Sequence, residues 1–300
     1  MTDNGSPPRS KRVDWRVRGG IAAALLVAGV GFLAQDWWTK REALAADLRE
    51  ATEATAPVTP EESVDAHAQR LERAHGIRIG YGDPADFWAP PYLAEDVITA
   101  PWLEIKPADP RNVATTLNGI EAALRQYPPG FVAKLIKAVF ICGSLRMQGE
   151  FAAGTNGRAW IIMASRAEYG LEGLRELGFV TFHHELSSFV LRQDVTTWSK
   201  WIKFAPAGRH YAEDPAGAIR GADLPDPPLE TGFLNAYGAT NLENDFNIYA
   251  EELFNHPQYV ARLAQKYPLI RRKLDFVMAT YVAIDPAFKP IFLEMGLTGS

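Results

Sequence analysis

One stretch near the middle of the chain places ionisable side chains within an apolar helix. Residues 179–192 begin as an apolar run and continue at helical spacing, so that one face forms a buried stripe and the adjoining face carries His184 and Ser188. The stripe consists of Phe182, Leu186, Phe189 and Val190. His183, His184 and Glu185 therefore lie among phenylalanines, where desolvation is costly unless a metal, a proton or a hydrogen-bond partner compensates it. This placement predicts a functional site.

The size and composition of the chain are typical of a globular protein. Its 300 residues are 47% hydrophobic and 22% charged, which is enough for one large core or two modest ones. The net charge of -5 argues against a nucleic-acid-binding protein, which would carry a strongly basic domain. The single cysteine, Cys142, excludes an internal disulfide and is expected in the core.

The N-terminal region predicts a membrane anchor. Five basic residues precede an uncharged run from Gly19 to Ala34, and Trp37 and Trp38 follow it as an interfacial aromatic pair. A cleaved signal peptide is the alternative. The charge bias places the rest of the chain on the periplasmic side of a bacterial inner membrane, behind a single span. The predicted segments are a basic cytoplasmic tail over 1–18, a transmembrane helix over 19–38 and a stalk over 39–58.

Residues 59–300 predict one globular domain of the α+β class. Its first helix is expected to start at Thr59 as the N-cap and to run to about His75, where Gly76 stops it. A turn is expected at Gly154–Gly157. Strands are predicted at Ile77–Tyr81, Trp102–Lys106, Ala138–Cys142 and Ala159–Met163, with a helix at Asn112–Tyr127.

A second polar stretch follows the His-Glu helix by some sixty residues, on a helix predicted to begin after Thr240. This helix carries the carboxylates of Glu243, Asp245, Glu251 and Glu252. In zinc peptidases of the His-Glu-x-x-His type, two imidazoles one helical turn apart bind the metal, and the intervening glutamate deprotonates the metal-bound water. A third ligand, often a carboxylate, arrives from a later helix. The order and spacing of this chain agree with that plan.

On these residues the chain resembles zincin-like metallopeptidases of the gluzincin type, of the anthrax-lethal-factor and Mlc-titration-factor kind, and zinc metallohydrolases of bacterial surfaces. The similar pieces are 74–79, 160–163, 182–188 and 237–254, within residues 65 to 256. The resemblance implies a zincin-like α+β domain with a mixed sheet and an active-site helix. It also implies zinc as the cofactor, a peptide or protein as the substrate and hydrolysis by a metal-activated water.

The resemblance assigns roles to individual side chains. His184 becomes a metal ligand and Glu185 the general base, with Asp245 or Glu243 completing the metal site. His183 is a further candidate ligand.

Two positions depart from the pattern of the family. Ser188 stands where the second histidine belongs, and a direct match of the ligand glutamate lands on Asn244. Catalytic zinc is held by three protein ligands, so His183, His210 or His256 would have to supply a missing one.

Three alternatives to a zinc hydrolase stay open. The polar residues of the two helices can form a structural hydrogen-bond network, with His184 bonded to Asp245. A zincin fold that has lost its metal can serve as a binding or scaffold module at the membrane. A hydrolase that uses Ser187 or Ser188 as nucleophile is disfavoured because no Gly-x-Ser-x-Gly elbow surrounds them.

Overall fold

The computed structural model describes most of the region that follows the predicted stalk. The described residues are 62–88, 103–147, 149–205, 211 and 225–297. The predicted tail, transmembrane helix and stalk, and also Thr59 and His210, lie outside them. Among the helices that are described, none combines the length and the apolar character needed to cross a membrane.

The described part of the chain mixes helices and strands, as an α+β fold requires. The strands are β1 (Arg78–Tyr81), β2 (Leu103–Lys106), β3 (Ala138–Cys142), β4 (Ser144–Met147), β5 (Glu150–Ala152), β6 (Gly154–Asn156) and β7 (Trp160–Ala164). The α-helices are α1 (Val64–His75), α2 (Pro84–Phe87), α3 (Pro110–Leu124), α4 (Phe131–Leu135), α5 (Gly170–Arg192), α6 (Val195–Trp201), α7 (Leu242–Asn255), α8 (Pro257–Lys266), α9 (Pro268–Ile284) and α10 (Phe288–Glu294).

A mixed four-stranded sheet in the order β1-β3-β7-β6 forms the centre of the fold. Strand β3 pairs parallel with both β1 and β7, whereas β6 pairs antiparallel with β7. The predicted mixed sheet is therefore confirmed. Every residue of β3 and β7 is buried. Alternate side chains of these strands enter two different cores, which explains why both strands are continuous apolar runs.

The smaller core lies on one side of this sheet. The sequence predicted only some of the elements that enclose it. An antiparallel sheet in the order β2-β4-β5 packs there, together with Phe87 and Trp88. Strand β2 was predicted, whereas β4 and β5 were not. The segment predicted as a turn at Gly154–Gly157 is also corrected, because three of its residues form β6.

The larger core lies between the first sheet and the long helices. Helix α1 begins four residues later than predicted, because the Ser63 hydroxyl, rather than Thr59, caps it by accepting a hydrogen bond from the backbone N–H of Ala66. Helices α3 and α5 touch through a glycine, since a Cβ atom on Gly119 would lie 2.0 Å from the carbonyl oxygen of Arg175. This close approach fixes α5, the helix of the predicted site, against the body of the domain.

Helix α7 crosses α5 and brings the second polar stretch to the first. It begins after Thr240, as predicted, because the Asn241 side chain accepts a hydrogen bond from the backbone N–H of Asn244 at 2.7 Å. The contact between α5 and α7 buries Phe182, Leu186 and Phe246 in the larger core. The two halves of the predicted site therefore face each other.

Candidate functional site

His183 points into the larger core. It is fully buried, its Nδ1 lies 2.6 Å from the hydroxyl of Tyr127, and its ring stacks on Phe254 with 4.8 Å between the ring centroids. Burial lowers the pKa of His183 to about 3, so the ring is neutral at physiological pH. The structure therefore places His183, a further candidate metal ligand in the sequence, in the larger core against Tyr127 and Phe254.

His184 lies on the side of α5 that faces α7. Its Nδ1 is 3.3 Å from Oε2 of Glu251, and the ring of Tyr237 lies 5.6 Å away between centroids. Burial opposes a positive charge on His184, but its hydrogen bond to Glu251 and the charges of Glu185, Glu251 and Glu243 raise its pKa above the ordinary value. The partner of His184 is thus Glu251, and not the Asp245 that the sequence reading favoured.

Glu185 faces the edge strand β6. Its Oε2 accepts a hydrogen bond from the side-chain amide of Asn156 at 2.6 Å, and Arg192 donates to the amide oxygen of the same asparagine. A Cβ atom on Gly154 would lie 2.7 Å from Oε1 of Glu185, so β6 passes directly against the carboxylate. Burial raises the pKa of Glu185, while His184 and the Asn156 hydrogen bond lower it.

Ser187 and Ser188 are joined to α7 by one residue that the sequence reading missed. The amide nitrogen of Asn247 donates to Ser188 Oγ at 2.8 Å, and Ser187 Oγ donates to the amide oxygen of Asn247 at 2.6 Å. All three side chains are buried. This network fills the α5–α7 interface at the level where the second histidine of the family motif would project.

Asp245 belongs to a different cluster. Both of its carboxylate oxygens accept hydrogen bonds from Lys273 Nζ, at 2.7 and 2.9 Å, and Tyr211 donates to Oδ2 at 2.8 Å. Burial raises the pKa of Asp245 to about 6, against the opposing attraction of Lys273. Asp245 and Asn247 are two residues apart, about 200° around the helix, so Asp245 points away from His184. The structure therefore places Asp245, predicted to complete a metal site, in an ion pair with Lys273.

The other residues named in the sequence analysis have contacts of their own. Glu243 is half-buried and lies close enough for its charge to raise the pKa of both His184 and Glu185. Asn244 donates to the hydroxyl of Thr240 at 2.9 Å. His256 pairs with Glu252 at 2.8 Å, on the turn that ends α7. Within the described ranges, no group of three or more His, Cys, Asp and Glu side chains is arranged to hold a metal ion.

The donor set around His184 does not fit catalytic zinc. Such a site needs three protein ligands, which are imidazoles, thiolates or carboxylates. Of the predicted set, His183 and Asp245 face elsewhere, which leaves His184 and the nearby Glu243. From α7 the Glu251 carboxylate also lies 3.3 Å from the His184 ring, but the side chains at the next turn of α5 and opposite it on α7 are the Ser188 hydroxyl and the Asn247 amide, which are weak ligands for zinc.

Comparisons with known proteins identify no family for the chain. No family model matches it, and no curated protein matches it. One solved structure overlaps it loosely: "a putative zinc-binding metallo-peptidase from Bacteroides caccae", with a TM-score of 0.45 and 16% sequence identity. The overlap covers 79% of this chain and 94% of the other. The site is therefore interpreted from its own residues.

Strand β6 leaves one backbone edge open beside Glu185. Ala153 and Gly157, which flank the strand, bond to β7 through O and N at 2.8 and 3.0 Å. In an antiparallel pair the bonded and non-bonded positions alternate, so Gly154 and Asn156 direct their backbone N–H and C=O groups away from β7. In the part of the chain that the structure describes, β6 is the outermost strand of its sheet.

A cavity of about 410 Å³ lies where β6 and α5 end. Its lining is formed by Leu135, Gly157, Arg158, Phe189, Arg192 and Gln193. Arg192 is held at this position by three contacts, a bond from its Nε to the Ser188 carbonyl at 3.0 Å, the Asn156 amide and the ring of Phe189. The candidate site thus combines an open strand edge, a buried carboxylate and a cavity with two arginines.

Proposed function

We propose that this chain is a metal-independent binding domain for extended polypeptide, built on a zincin-like pair of helices and held at the bacterial inner membrane by residues 19–38. The hydrogen bond between Ser188 and Asn247 is the observation that carries the metal-independent part. It satisfies two neutral side chains with each other at the position where the His-Glu-x-x-His motif presents its second imidazole. The domain is the membrane-bound binding module that the sequence reading kept as its alternative.

The network between α5 and α7 supports this proposal energetically. An ion at this position would have to break the bonds that Asn247 makes to Ser187 and Ser188. Leaving a buried polar group without its partner costs about 1–3 kcal/mol. Neither a hydroxyl nor an amide would return that free energy as a zinc ligand, so the side chains favour the closed network.

The open edge of β6 supports an extended polypeptide as the ligand. An added strand pairs with the outward backbone groups of a sheet edge and places alternate side chains in neighbouring pockets. Gly154 and Asn156 supply the backbone groups, and the cavity beside them supplies a pocket. Because Arg158 and Arg192 line that pocket, we expect a preference for an acidic side chain.

The rival function is the zinc-dependent peptide hydrolysis that the resemblance implies. The contact between His184 and Glu251 favours it, because metal-binding histidines commonly give their second ring nitrogen to a carboxylate. Glu185 would then act as the general base. This function requires three ligands arranged around one point, and the described residues contain no group of three His, Cys, Asp or Glu side chains in such an arrangement.

Zinc content separates the two functions. The full chain, purified in detergent, is incubated with zinc, freed of excess by gel filtration and measured by elemental analysis. We expect far less than one zinc per chain. The Ser188→His/Asn247→Glu variant adds an imidazole and a carboxylate beside His184 and is expected to approach one zinc per chain, whereas Ser188→Ala/Asn247→Ala is not. If the wild type bound one zinc per chain and His184→Ala bound none, the zinc-dependent hydrolase would become the favoured function.

Hydrogen exchange tests the polypeptide part. The same detergent-solubilised chain is mixed with random-sequence decapeptides, and amide exchange is followed by mass spectrometry. We expect slower exchange in the segment that contains Gly154 and Asn156, together with full recovery of uncleaved peptides. Unchanged exchange in β6 at millimolar peptide would contradict strand addition. Cleavage that depends on Glu185 would contradict the binding function.

A further inference from the structure

A short helix that follows α5 exposes an apolar stripe. Val195, Trp198 and Ile202 recur at helical spacing along α6 and the 3-10 turn Ile202–Phe204 that continues it. Their exposed fractions are 79%, 37% and 51%. These three side chains thus form one outward-facing patch, which we call the α6 stripe.

The stripe is held in a fixed position by a buried neighbour. Trp201, three residues from Trp198 and thus on the face of α6 that adjoins the stripe, is fully buried and donates from Nε1 to the carbonyl oxygen of Leu242 at 3.1 Å. Its ring contacts Phe246, Tyr249 and Phe276 edge-on or tilted, with centroids 5.2 to 5.7 Å apart. The helix is therefore anchored to the core by Trp201. This packing fixes the position of the three exposed apolar side chains of the stripe.

The charge around the stripe is opposite to that of the whole protein. Between residues 192 and 204 the chain carries Arg192, Lys200 and Lys203 against the single acid Asp194, and all four are exposed. The local net charge is thus two positive, whereas the whole chain has a net charge of -5. By helical phase Lys203 lies about 80° and Lys200 about 140° from Val195, so the lysines occupy the rest of the exposed face of the helix, and this face as a whole complements a surface that is both anionic and apolar.

We propose that the α6 stripe, with Lys200 and Lys203, rests on the anionic phospholipid surface of the membrane to which the predicted span tethers the chain. Tryptophan favours the boundary between headgroups and acyl chains, and short amphipathic segments bury their apolar face at that depth. Each lysine near an anionic surface adds an electrostatic attraction. A tether makes even a weak surface contact effective, because it raises the local concentration of the domain at the lipid.

This contact would orient the candidate site. Helix α6 follows α5 directly, and Arg192 at the end of α5 bonds to Asn156 of β6. The cavity lined by Phe189 and Arg192 therefore lies at the same end of α5 as the stripe. Docking would hold this end of the domain close to the lipid, where polypeptide segments that emerge from the membrane are presented.

A single label measures the docking. Cys142 is buried, so the full chain with Val195→Cys can be labelled at position 195 with a polarity-sensitive fluorophore, and Leu293→Cys, at an exposed leucine of α10, is the matched control. Unlabelled wild type checks that Cys142 does not react. The labelled chains are reconstituted into phosphatidylcholine vesicles with and without phosphatidylglycerol. Lipids with brominated acyl chains then report depth by quenching.

We expect a blue shift and strong quenching at position 195, little of either at 293, and a stronger effect with phosphatidylglycerol. Lys200→Glu/Lys203→Glu is expected to lower the ratio of docked to undocked label at least about tenfold. Equal responses at 195 and 293 would overturn the proposal. So would shielding of position 195 without vesicles at rising protein concentration, which would assign the stripe to a second copy. The zinc and peptide measurements in detergent test the proposed function, and their results do not depend on whether the α6 stripe docks on lipid.

Discussion

Asn247 and Ser188 are hydrogen-bonded at 2.8 Å between the amide nitrogen of one and the hydroxyl oxygen of the other, across the α5–α7 interface. Ser187, on the same turn of α5, uses the amide oxygen of Asn247. One side chain of α7 therefore bonds to two hydroxyls of α5, and all three side chains are buried. Neutral groups hold the two helices together at a level where a metallopeptidase relies on its ion.

Asn247→Leu tests the energetic role of this network. The variant removes the donor to the Ser188 hydroxyl, whereas the Ser187 hydroxyl keeps the His184 carbonyl at 2.7 Å, so we expect the free energy of unfolding to fall by about 1–3 kcal/mol. Chemical denaturation measures the change. Ser187→Ala/Ser188→Ala/Asn247→Leu, which removes both hydroxyls, is expected to recover part of the loss. A change below about 0.5 kcal/mol for the single variant would show that the network is not needed for stability.

Lys273→Met tests the assignment of Asp245 to the ion pair. The variant leaves the Asp245 carboxylate buried without its cation, and the expected loss of unfolding free energy is about 3–5 kcal/mol. Asp245→Leu/Lys273→Met is expected to be more stable than the single variant, because the unpaired charge is gone. Lys289→Met, at an exposed lysine, provides the control. Equal stability of Lys273→Met and Lys289→Met would contradict a structural pair.

His183 predicts how stability depends on pH. Its pKa is about 3 in the folded chain, against an ordinary value of about 6.5 in the unfolded chain. Between these values only the unfolded chain binds the proton, so stability is full above pH 6.5 and falls as the pH decreases. The contribution lost on going to pH 5 is about 2 kcal/mol.

A variant without this imidazole isolates that contribution. His183→Phe/Tyr127→Phe replaces both hydrogen-bonded side chains, so no hydroxyl of Tyr127 is stranded. Chemical denaturation at pH 8 and pH 5 gives the loss for each protein, and the loss is expected to be about 2 kcal/mol smaller in the variant. The other histidines act in both proteins and cancel. Equal losses would mean that His183 is accessible to protons in the folded state.

The sequence predicted those elements whose pattern is local. The apolar runs of β3 and β7 and the polar start of α7 at Asn241 were readable, because burial on both faces and N-capping leave a mark within a few residues. Strand β6 was mistaken for a turn, since it has only three residues, begins with Gly154 and is followed by Gly157. Glycine at 154 reflects the close approach of Glu185, which a distant part of the chain creates.

The two helices that carry the predicted site residues face each other, but their side chains pair differently from the prediction. Glu251 and Asn247 lie four residues apart and thus on one face of α7, whereas Asp245 lies on another, so helical phase held the information. Charge drew attention to Asp245 instead. Its partner Lys273 lies on α9, and nothing within the α7 sequence reveals that contact. Tertiary packing decided which carboxylate faced His184.

The side chain of Asn156 serves the edge strand and α5 at once, through Glu185 on one atom and Arg192 on the other. Its hydrogen bond holds the pKa of Glu185 down against burial. A ligand that draws β6 away from the helix would weaken that bond and leave Glu185 more basic. Binding of such a ligand would therefore be coupled to proton uptake by Glu185 and would be favoured in acidic solution.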